Sequence, residues 1–279
     1  MDPDIDIGTA FGNGTVLLDM HSPEVAIIRL NRPERLNTMT SELVGGLHDA
    51  LDVVADDNIC RAVILTGNGR GFCAGLNISG FGPMPSSKGL GKAAAGMKTQ
   101  QLIASLIPHM RSVTKPIIAA VNGPAAGGGF ALVLGSDIRL CSESAKFGTA
   151  FVKLGLSGCD IGVSWMLPRL IGAARAHELI LTGRVFDAAE ADRIGLVCRV
   201  TPDAELLDAA LHYASLIVGN SPYGTWMTKE VMWSNLEVSS QQAGIDLENR
   251  TQITTSFTHD LDEAMLAFLE KRKPVFTFR

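Results

Sequence analysis

Two glycine clusters, each standing directly behind a short apolar run, constrain this chain more than any other feature. Ala62 to Thr66 (AVILT) runs into Gly67-Asn68-Gly69-Arg70-Gly71-Phe72-Cys73-Ala74-Gly75-Leu76. Ile117 to Val121 (IIAAV) runs into Asn122-Gly123-Pro124-Ala125-Ala126-Gly127-Gly128-Gly129. Val25 to Leu30 (VAIIRL) is a third run, closed by Asn31-Arg32-Pro33. β-Branched runs that end in Gly, Asn and Pro read as strands leaving into turns. Glycine adopts positive φ and lets the backbone approach a ligand closely, so each turn can present bare N–H groups.

Between Val25–Leu30 and Ala62–Thr66, Leu43, Leu47, Ala50, Leu51 and Val54 fall on one face of a helix spanning Ser41 to Val54. Thr40 or Ser41 is its cap, with Glu42 in the first turn. Alternating strands and helices make the fold class α/β. Gly80 to Gly96 mixes Gly, Pro, Ser and Lys without apolar period and reads as a mobile loop, either a plain surface excursion or a lid over a site. A helical pattern resumes over Met97 to Ile107. From Pro202 onward the chain changes character, and Ala204 to Val218, Ser221 to Trp233, Ser240 to Thr251 and Leu261 to Lys271 all read as helices. This divides the chain into a core of residues 1–204 and a helical region of residues 205–279, with no internal repeat of fixed sequence period.

At 279 residues and 46% hydrophobic composition the chain can bury a large core without disulfides or metal. Its net charge of -5 and 6% aromatic content argue against a nucleic-acid binder. No run approaches the length of a membrane span. The start, Met1 to Asp6, is acidic where a secretory leader would be basic. Five cysteines, an odd number without C-x-x-C spacing, read as thiols of a reducing compartment, hence a cytoplasmic protein.

Several chemistries are excluded by spacing. Gly69-x-Gly71-x-x-Ala74 matches the dinucleotide fingerprint, but no acid follows before Asp137, and no P-loop exists. Ser157 is not in a nucleophile elbow, and the six histidines show no metal-ligand spacing. Cys73 reads as a buried structural thiol. From Asp57 to Asp137 the chain has no acid between, yet contains Arg61, Arg70, Lys88, Lys92, Lys98, Arg111 and Lys115. That basic segment suits an anionic small ligand such as a phosphate ester, or else consists of solvated helix faces. Two backbone donors aimed at one point would form an oxyanion hole for an enolate. From the residues alone, the reading ends at two glycine turns, a basic segment and no nucleophile.

These clusters resemble the crotonase, or enoyl-CoA hydratase/isomerase, superfamily. The resemblance runs from Val25-Ala26-Ile27-Ile28-Arg29-Leu30-Asn31-Arg32-Pro33 through Gly71-Phe72-Cys73-Ala74-Gly75-Leu76, Lys115 to Gly123 and Gly127-Gly128-Gly129 to Phe268-Leu269-Glu270-Lys271-Arg272-Lys273-Pro274-Val275-Phe276. It implies a spiral of β-β-α repeats whose C-terminal helices assemble a homotrimer or hexamer. It implies acyl-CoA thioester substrates, with coenzyme A as part of the substrate and no separate cofactor. By position, the oxyanion donors are the N–H groups of Leu76 and Gly128. Arg35 and Leu36 lie along the CoA moiety, Ala74 lines the pocket, and Lys271 or Lys273 reaches CoA phosphates near a subunit boundary.

The sequence also departs from that family. Its two hydratase glutamates correspond here to Ala131 and Phe151, so Phe151 lines the pocket where a carboxylate would stand. The acid that remains is Asp160 in Gly158-Cys159-Asp160-Ile161-Gly162, which resembles the aspartate of dienoyl-CoA isomerases in a stretch one residue longer. A lone carboxylate suits a double-bond shift better than hydration, which uses a base and an acid. Asp160 reads equally as an N-cap of the helix that begins near Gly162. Three functions follow: an isomerase with Asp160 as proton shuttle, a hydratase, or a catalytically silent acyl-CoA binder. Fatty-acid and aromatic breakdown are both open, since Phe81, Met84, Phe130 and Trp165 are expected to shape the acyl pocket. Asp137 and Glu143 resemble family positions outside it.

Overall fold

The apolar runs that precede the turns become the centre of a seven-stranded sheet, because each is buried on both faces as a parallel strand between helices must be. The computed structural model describes residues 8–82 and 87–278, so Met84 and the acidic start at Met1 to Asp6 lie outside the described residues. The strands are β1 (Thr9–Phe11), β2 (Val16–Ser22), β3 (Val25–Leu30), β4 (Ala62–Gly67), β5 (Ile117–Val121), β6 (Ala125–Ala126), β7 (Ile138–Ser142), β8 (Lys146–Gly148), β9 (Phe186–Asp187) and β10 (Arg199–Thr201). The helices are α1 (Ser41–Asp56), α2 (Lys92–Ala104), α3 (Leu106–Ser112), α4 (Gly128–Gly135), α5 (Val163–Ile171), α6 (Ala173–Thr182), α7 (Ala188–Arg193), α8 (Leu206–Val218), α9 (Pro222–Asn235), α10 (Gln241–Thr255) and α11 (His259–Glu270).

The large sheet has the order β1-β2-β3-β4-β5-β7-β10, antiparallel at β1-β2-β3 and parallel from β3 to β10. A smaller layer, β6-β8-β9, is extended by isolated bridges from Cys73 to Ala125 and from Met39 to Leu76. Each circuit of the chain therefore gives one strand to the large sheet, one extended segment to the small layer, and then a helix. β3 leads to Met39 and α1, β4 to Cys73–Leu76 and α2, β5 to β6 and α4, and β7 to β8 and α5. This is a β-β-α spiral, and the fold class is α/β.

Alternation along the strands divides the core. Ala26, Ile28, Val63, Leu65, Ile117 and Ala119 face the interior of the spiral, where α1 packs through Leu43, Leu47, Ala50, Leu51 and Val54. Val25, Ile27, Ala62, Ile64, Ile118 and Ala120 face the other way, against Leu206, Ala210 and Ala214 of α8. Thr40 caps α1, its Oγ1 accepting the Leu43 N–H at 3.3 Å. The helix at α2 begins at Lys92, inside the segment that lacks apolar period. Ala93, Ala94 and Ala95 favour helix intrinsically but bury nothing, so no amphipathic pattern announces these first turns, whereas the expected helix over Met97 to Ile107 covers the rest of α2 and runs into α3. Residue 205 falls at the turn Asp203–Glu205 that leads into α8.

Beyond α8, few residues are sealed, and α9 is held by one buried ion pair. Lys229 Nζ stands 3.0 Å from Asp137 Oδ2, with both side chains almost wholly inaccessible. Nζ also donates to the carbonyls of Met110 and Lys115, while Asp137 accepts from Trp233 Nε1 and the Ile117 N–H. Those extra bonds are what make a buried charge pair tolerable. Arg111 lies beside it, stacked 4.7 Å from Trp165 and 4.2 Å from Trp233.

Helices α1 and α3 meet through a histidine pair. His48 Nδ1 and His109 Nδ1 are 2.7 Å apart, so one must donate and the other accept, and His109 Nε2 stands 3.1 Å from Asp52 Oδ1. His48 Nε2 faces the Leu102 carbonyl and Ser105 Oγ. Burial lowers the His48 imidazole below its ordinary value. The Leu102 carbonyl opposes that, His109 adds to it, and Asp52 and Asp49 pull upward. The unfolded chain therefore binds this proton more readily than the folded one. Stability from His48 is complete above about pH 6.5 and falls as the pH drops below it. Urea unfolding of His48→Gln should show a flatter loss of stability between about pH 6.5 and 5 than the parent chain.

Candidate active site

The first glycine turn is held by two asparagines that no motif marks. Asn37, wholly buried, accepts the Arg32 N–H at 2.7 Å and donates Nδ2 to the carbonyls of Asn68 and Gly71, at 3.0 and 2.8 Å. Asn122 accepts the Gly67 N–H at 3.1 Å and donates to the Gly69 carbonyl at 2.8 Å. Together they fix the backbone on both sides of Gly69. An asparagine directly after a strand is the one sequence signal that could have found Asn122. Asn37 has a left-handed backbone and carries no such signal.

The two turns are then joined to each other. Cys73 donates its N–H to the Pro124 carbonyl at 3.1 Å and accepts from the Ala126 N–H at 3.0 Å. Gly75 has φ of +91°, which resets the direction of the strand, and a Cβ there would stand 2.8 Å from the Ala126 oxygen and 3.6 Å from Gly127 Cα. Beyond Gly75, the Gly75 carbonyl and the Asn77 N–H both bond to Met39. The intervening Leu76 N–H therefore points away from Met39. Gly128 opens α4, where an N–H has no partner inside the helix and the helix dipole favours negative charge. Among the described residues, neither the Leu76 nor the Gly128 N–H is donated to a protein acceptor.

Asp160 is partly exposed in a cavity of about 410 Å³ lined by Gln100, Leu156, Ser157, Cys159, Ile161 and Ser164. Its Oδ1 accepts from the Ile161 N–H at 2.8 Å and from Gln100 Nε2. It does not cap the following helix: α5 starts at Val163 behind Gly162, with no side-chain cap. The Asp160 turn abuts the second glycine cluster through Ile161, whose Cδ1 is 3.3 Å from where a Cβ on Gly128 would stand. Phe151 is buried, its ring edge 3.5 Å from the equivalent point on Gly127, and Ala131 is sealed inside α4. Gln100 is a residue that sequence reasoning missed, since it is an exposed position of the expected helix and nothing local links it to Asp160.

Of the remaining expected residues, Leu36 packs on Gly71 and its carbonyl accepts the Ala74 N–H at 2.9 Å. Arg35 is exposed on the turn Pro33–Arg35 beside them. Lys271 and Lys273 are exposed beyond α11. That helix is tied through Asp260 to Ser221 and Thr277. Arg61, at the start of β4, bonds the Asn220 carbonyl, so this anchor lies at the sheet edge opposite the glycine turns. Among the described residues, neither lysine makes a hydrogen bond or ion pair with the glycine turns.

The basic segment also divides. Arg61 and Arg111 are taken up by packing, and Lys115 donates to the Ala55 carbonyl at 2.6 Å, leaving Arg70, Lys88, Lys92 and Lys98 exposed. Phe130 is packed in the core against Phe147 and Phe186, and Trp165 lies between Arg111 and Arg169, so neither shapes the Asp160 cavity. Burial pushes the Cys73 thiol up to about 12, which removes it as a nucleophile. A larger cleft of about 730 Å³, lined by Lys229, Met232, Glu248 and Thr251, contains no residue of either glycine turn.

The close approach of the turns makes a contrast testable. At Gly128 a methyl group would meet the mobile ends of Met39 and Ile161, whereas at Gly129 it would overlap the Cys73 carbonyl. Gly128→Ala should lose about 1 kcal/mol of stability and Gly129→Ala about 3 kcal/mol or more, measured by urea denaturation.

Comparison with known proteins places this geometry. The family profile described as enoyl-CoA hydratase/isomerase matches residues 21–279. A "probable enoyl-CoA hydratase" of Mycobacterium tuberculosis is 43% identical over 263 residues, 94% of this chain and 92% of that protein. The 1,2-epoxyphenylacetyl-CoA isomerase of Escherichia coli is 38% identical over 258 residues, 91% of this chain and 95% of its own. The crystal structure of a probable enoyl-CoA hydratase/isomerase from Mycobacterium abscessus superposes with a TM-score of 0.89 at 37% identity, covering 95% of this chain and 99% of that one. The chain belongs to the enoyl-CoA hydratase/isomerase family.

Proposed function

We propose that this enzyme shifts a double bond in an unsaturated acyl-CoA, using Asp160 as its single proton carrier. The observation that carries the reading is the chemistry left beside the glycine turns. The two positions that resemble family glutamates hold Ala131, sealed in α4, and Phe151, buried against Gly127, while Asp160 keeps a carboxylate in the adjacent cavity. The thioester oxygen accepts the Leu76 and Gly128 N–H groups, which acidifies the C–H at C2. Asp160 removes a proton from C2 of a 3-enoyl thioester. The electrons pass into the thioester as a dienolate, and the same carboxyl returns the proton at C4, leaving the conjugated 2-enoyl product. No atom is gained or lost. Coenzyme A enters as part of the substrate, so the reaction calls for no separate cofactor.

Hydration is the second reading, favoured by the name of the mycobacterial relative. It requires a water activated on one side and a proton delivered at C2, more than one carboxylate supplies easily. The two are separated by assay with 3-enoyl-CoA, where isomerisation raises the absorbance of the conjugated thioester, and with 2-enoyl-CoA, where hydration removes it. Asp160→Asn should lower 3-enoyl-CoA turnover by about a hundredfold or more with little change in acyl-CoA binding. Turnover near the parent rate, or a parent enzyme that consumes 2-enoyl-CoA and leaves 3-enoyl-CoA untouched, would contradict the assignment.

We also propose that the CoA phosphates meet Lys271 or Lys273 of a neighbouring copy in a trimer or hexamer. Support comes from the exposed apolar side chains of the C-terminal helical region, among them Phe257 in the turn before α11 and Met265, Phe268 and Leu269 on it, and from the exposure of both lysines. The double substitution Lys271→Ala, Lys273→Ala should raise KM for an acyl-CoA several-fold and leave KM for the matching acyl-pantetheine, which lacks those phosphates, unchanged. Free thiols at Cys60, Cys73, Cys141, Cys159 and Cys198 are consistent with a cytoplasmic setting. Among the described residues no helix is long and apolar enough to cross a membrane.

A further inference from the structure

We infer that Gln100 is a positioning residue for Asp160, an inference that rests on the isomerase reading above. The two oxygens of the Asp160 carboxylate are treated differently by the protein. Oδ1 accepts two donors, the Ile161 N–H at 2.8 Å and the Gln100 side-chain amide. Among the described residues, Oδ2 accepts none. Two donors on one oxygen fix the plane of the carboxylate and leave the other oxygen as the proton acceptor. A proton carrier that serves two carbons of one substrate needs that fixed orientation, because a displacement of about 1 Å in such a group can slow a reaction by roughly a hundredfold.

The local structure explains why the fixing must come from Gln100. Asp160 lies in a turn with Ile161 at φ of +46° and Gly162 at φ of +77°, between Cys159, which is exposed, and α5. The turn's own backbone supplies one donor to the carboxylate and no side-chain cap. The second donor comes from a different element, α2, and from a residue that also lines the Asp160 cavity. Gln100 is a neutral amide, so its N–H groups orient the carboxylate without delivering a charge or competing for the substrate proton. Its role passes through Asp160 and involves no contact with the reacting carbons.

The test uses the full chain, a saturated acyl-CoA and heavy water, with deuterium uptake at C2 followed by NMR, together with steady-state turnover of 3-enoyl-CoA. Gln100→Leu, and Gln100→Glu, which keeps the shape but offers no donor at neutral pH, should each lower kcat and exchange by about tenfold with KM within about twofold. In an Asp160→Asn background, Gln100→Leu should produce no further loss, and the slow exchange can be followed over long incubation. An unchanged kcat in Gln100→Leu would overturn the inference. So would an equal loss in both backgrounds, which is what damage to α2 alone produces. Parent-like turnover in Asp160→Asn contradicts the functional reading itself and is read before the Gln100 series.

Discussion

Two hydrogen bonds between Cys73 and the Pro124–Ala126 segment decide what this fold can do. They zip the two glycine turns into one short parallel ladder, and that ladder determines where the Leu76 and Gly128 amides point. Side chains would keep the turns apart: a Cβ at Gly75 meets the Ala126 oxygen, and one at Gly129 meets Cys73. The glycines are thus required by the approach of backbone to backbone, and among the described residues the Leu76 and Gly128 N–H groups beside them have no acceptor. Asn37 and Asn122 hold the first turn through the carbonyls of Gly71 and Gly69.

The spiral supplies the rest by repetition. Each circuit ends a strand of the large sheet at the same edge, and the small layer collects the segments that follow. Leu76 and Gly128 come from adjacent circuits, at the ends of β4 and β5. Asp160 arrives from the circuit of β7 and β8, through a turn that rests on Gly128 by way of Ile161. In the proposed reaction the scaffold supplies the electrophilic half of the chemistry, and the residue that occupies the turn supplies the proton carrier. Ala131 and Phe151, at the two positions that resemble family glutamates, are buried and carry no carboxylate.

Much of this was legible in the residues themselves. β3 and β5 begin and end where their β-branched runs do, and α1 follows its apolar stripe from Ser41, because burial on one or both faces imposes a period. The helical pattern over Met97 to Ile107 falls on α2 and the start of α3, but the first turns of α2, Lys92 to Gly96, were not legible, since they bury nothing and so have no stripe to show. The basic segment misled in part: Arg61, Arg111 and Lys115 neutralise carbonyl ends or stack on indoles, uses that composition cannot separate from ligand binding. Asp160 looked like a cap, but Gly162 precedes α5 and the carboxylate folds back onto Ile161. Asn37 and Gln100 act through tertiary contacts across more than thirty positions, which no local pattern encodes.

The central claim is that two amide hydrogens from neighbouring circuits share one thioester oxygen. A crystal structure with a stable acyl-CoA analogue measures it directly. The account predicts the thioester oxygen within about 3.1 Å of both the Leu76 and the Gly128 nitrogens, with the acyl chain passing toward Asp160. An oxygen that reaches only one of them, or an amide turned onto a protein carbonyl, would contradict it.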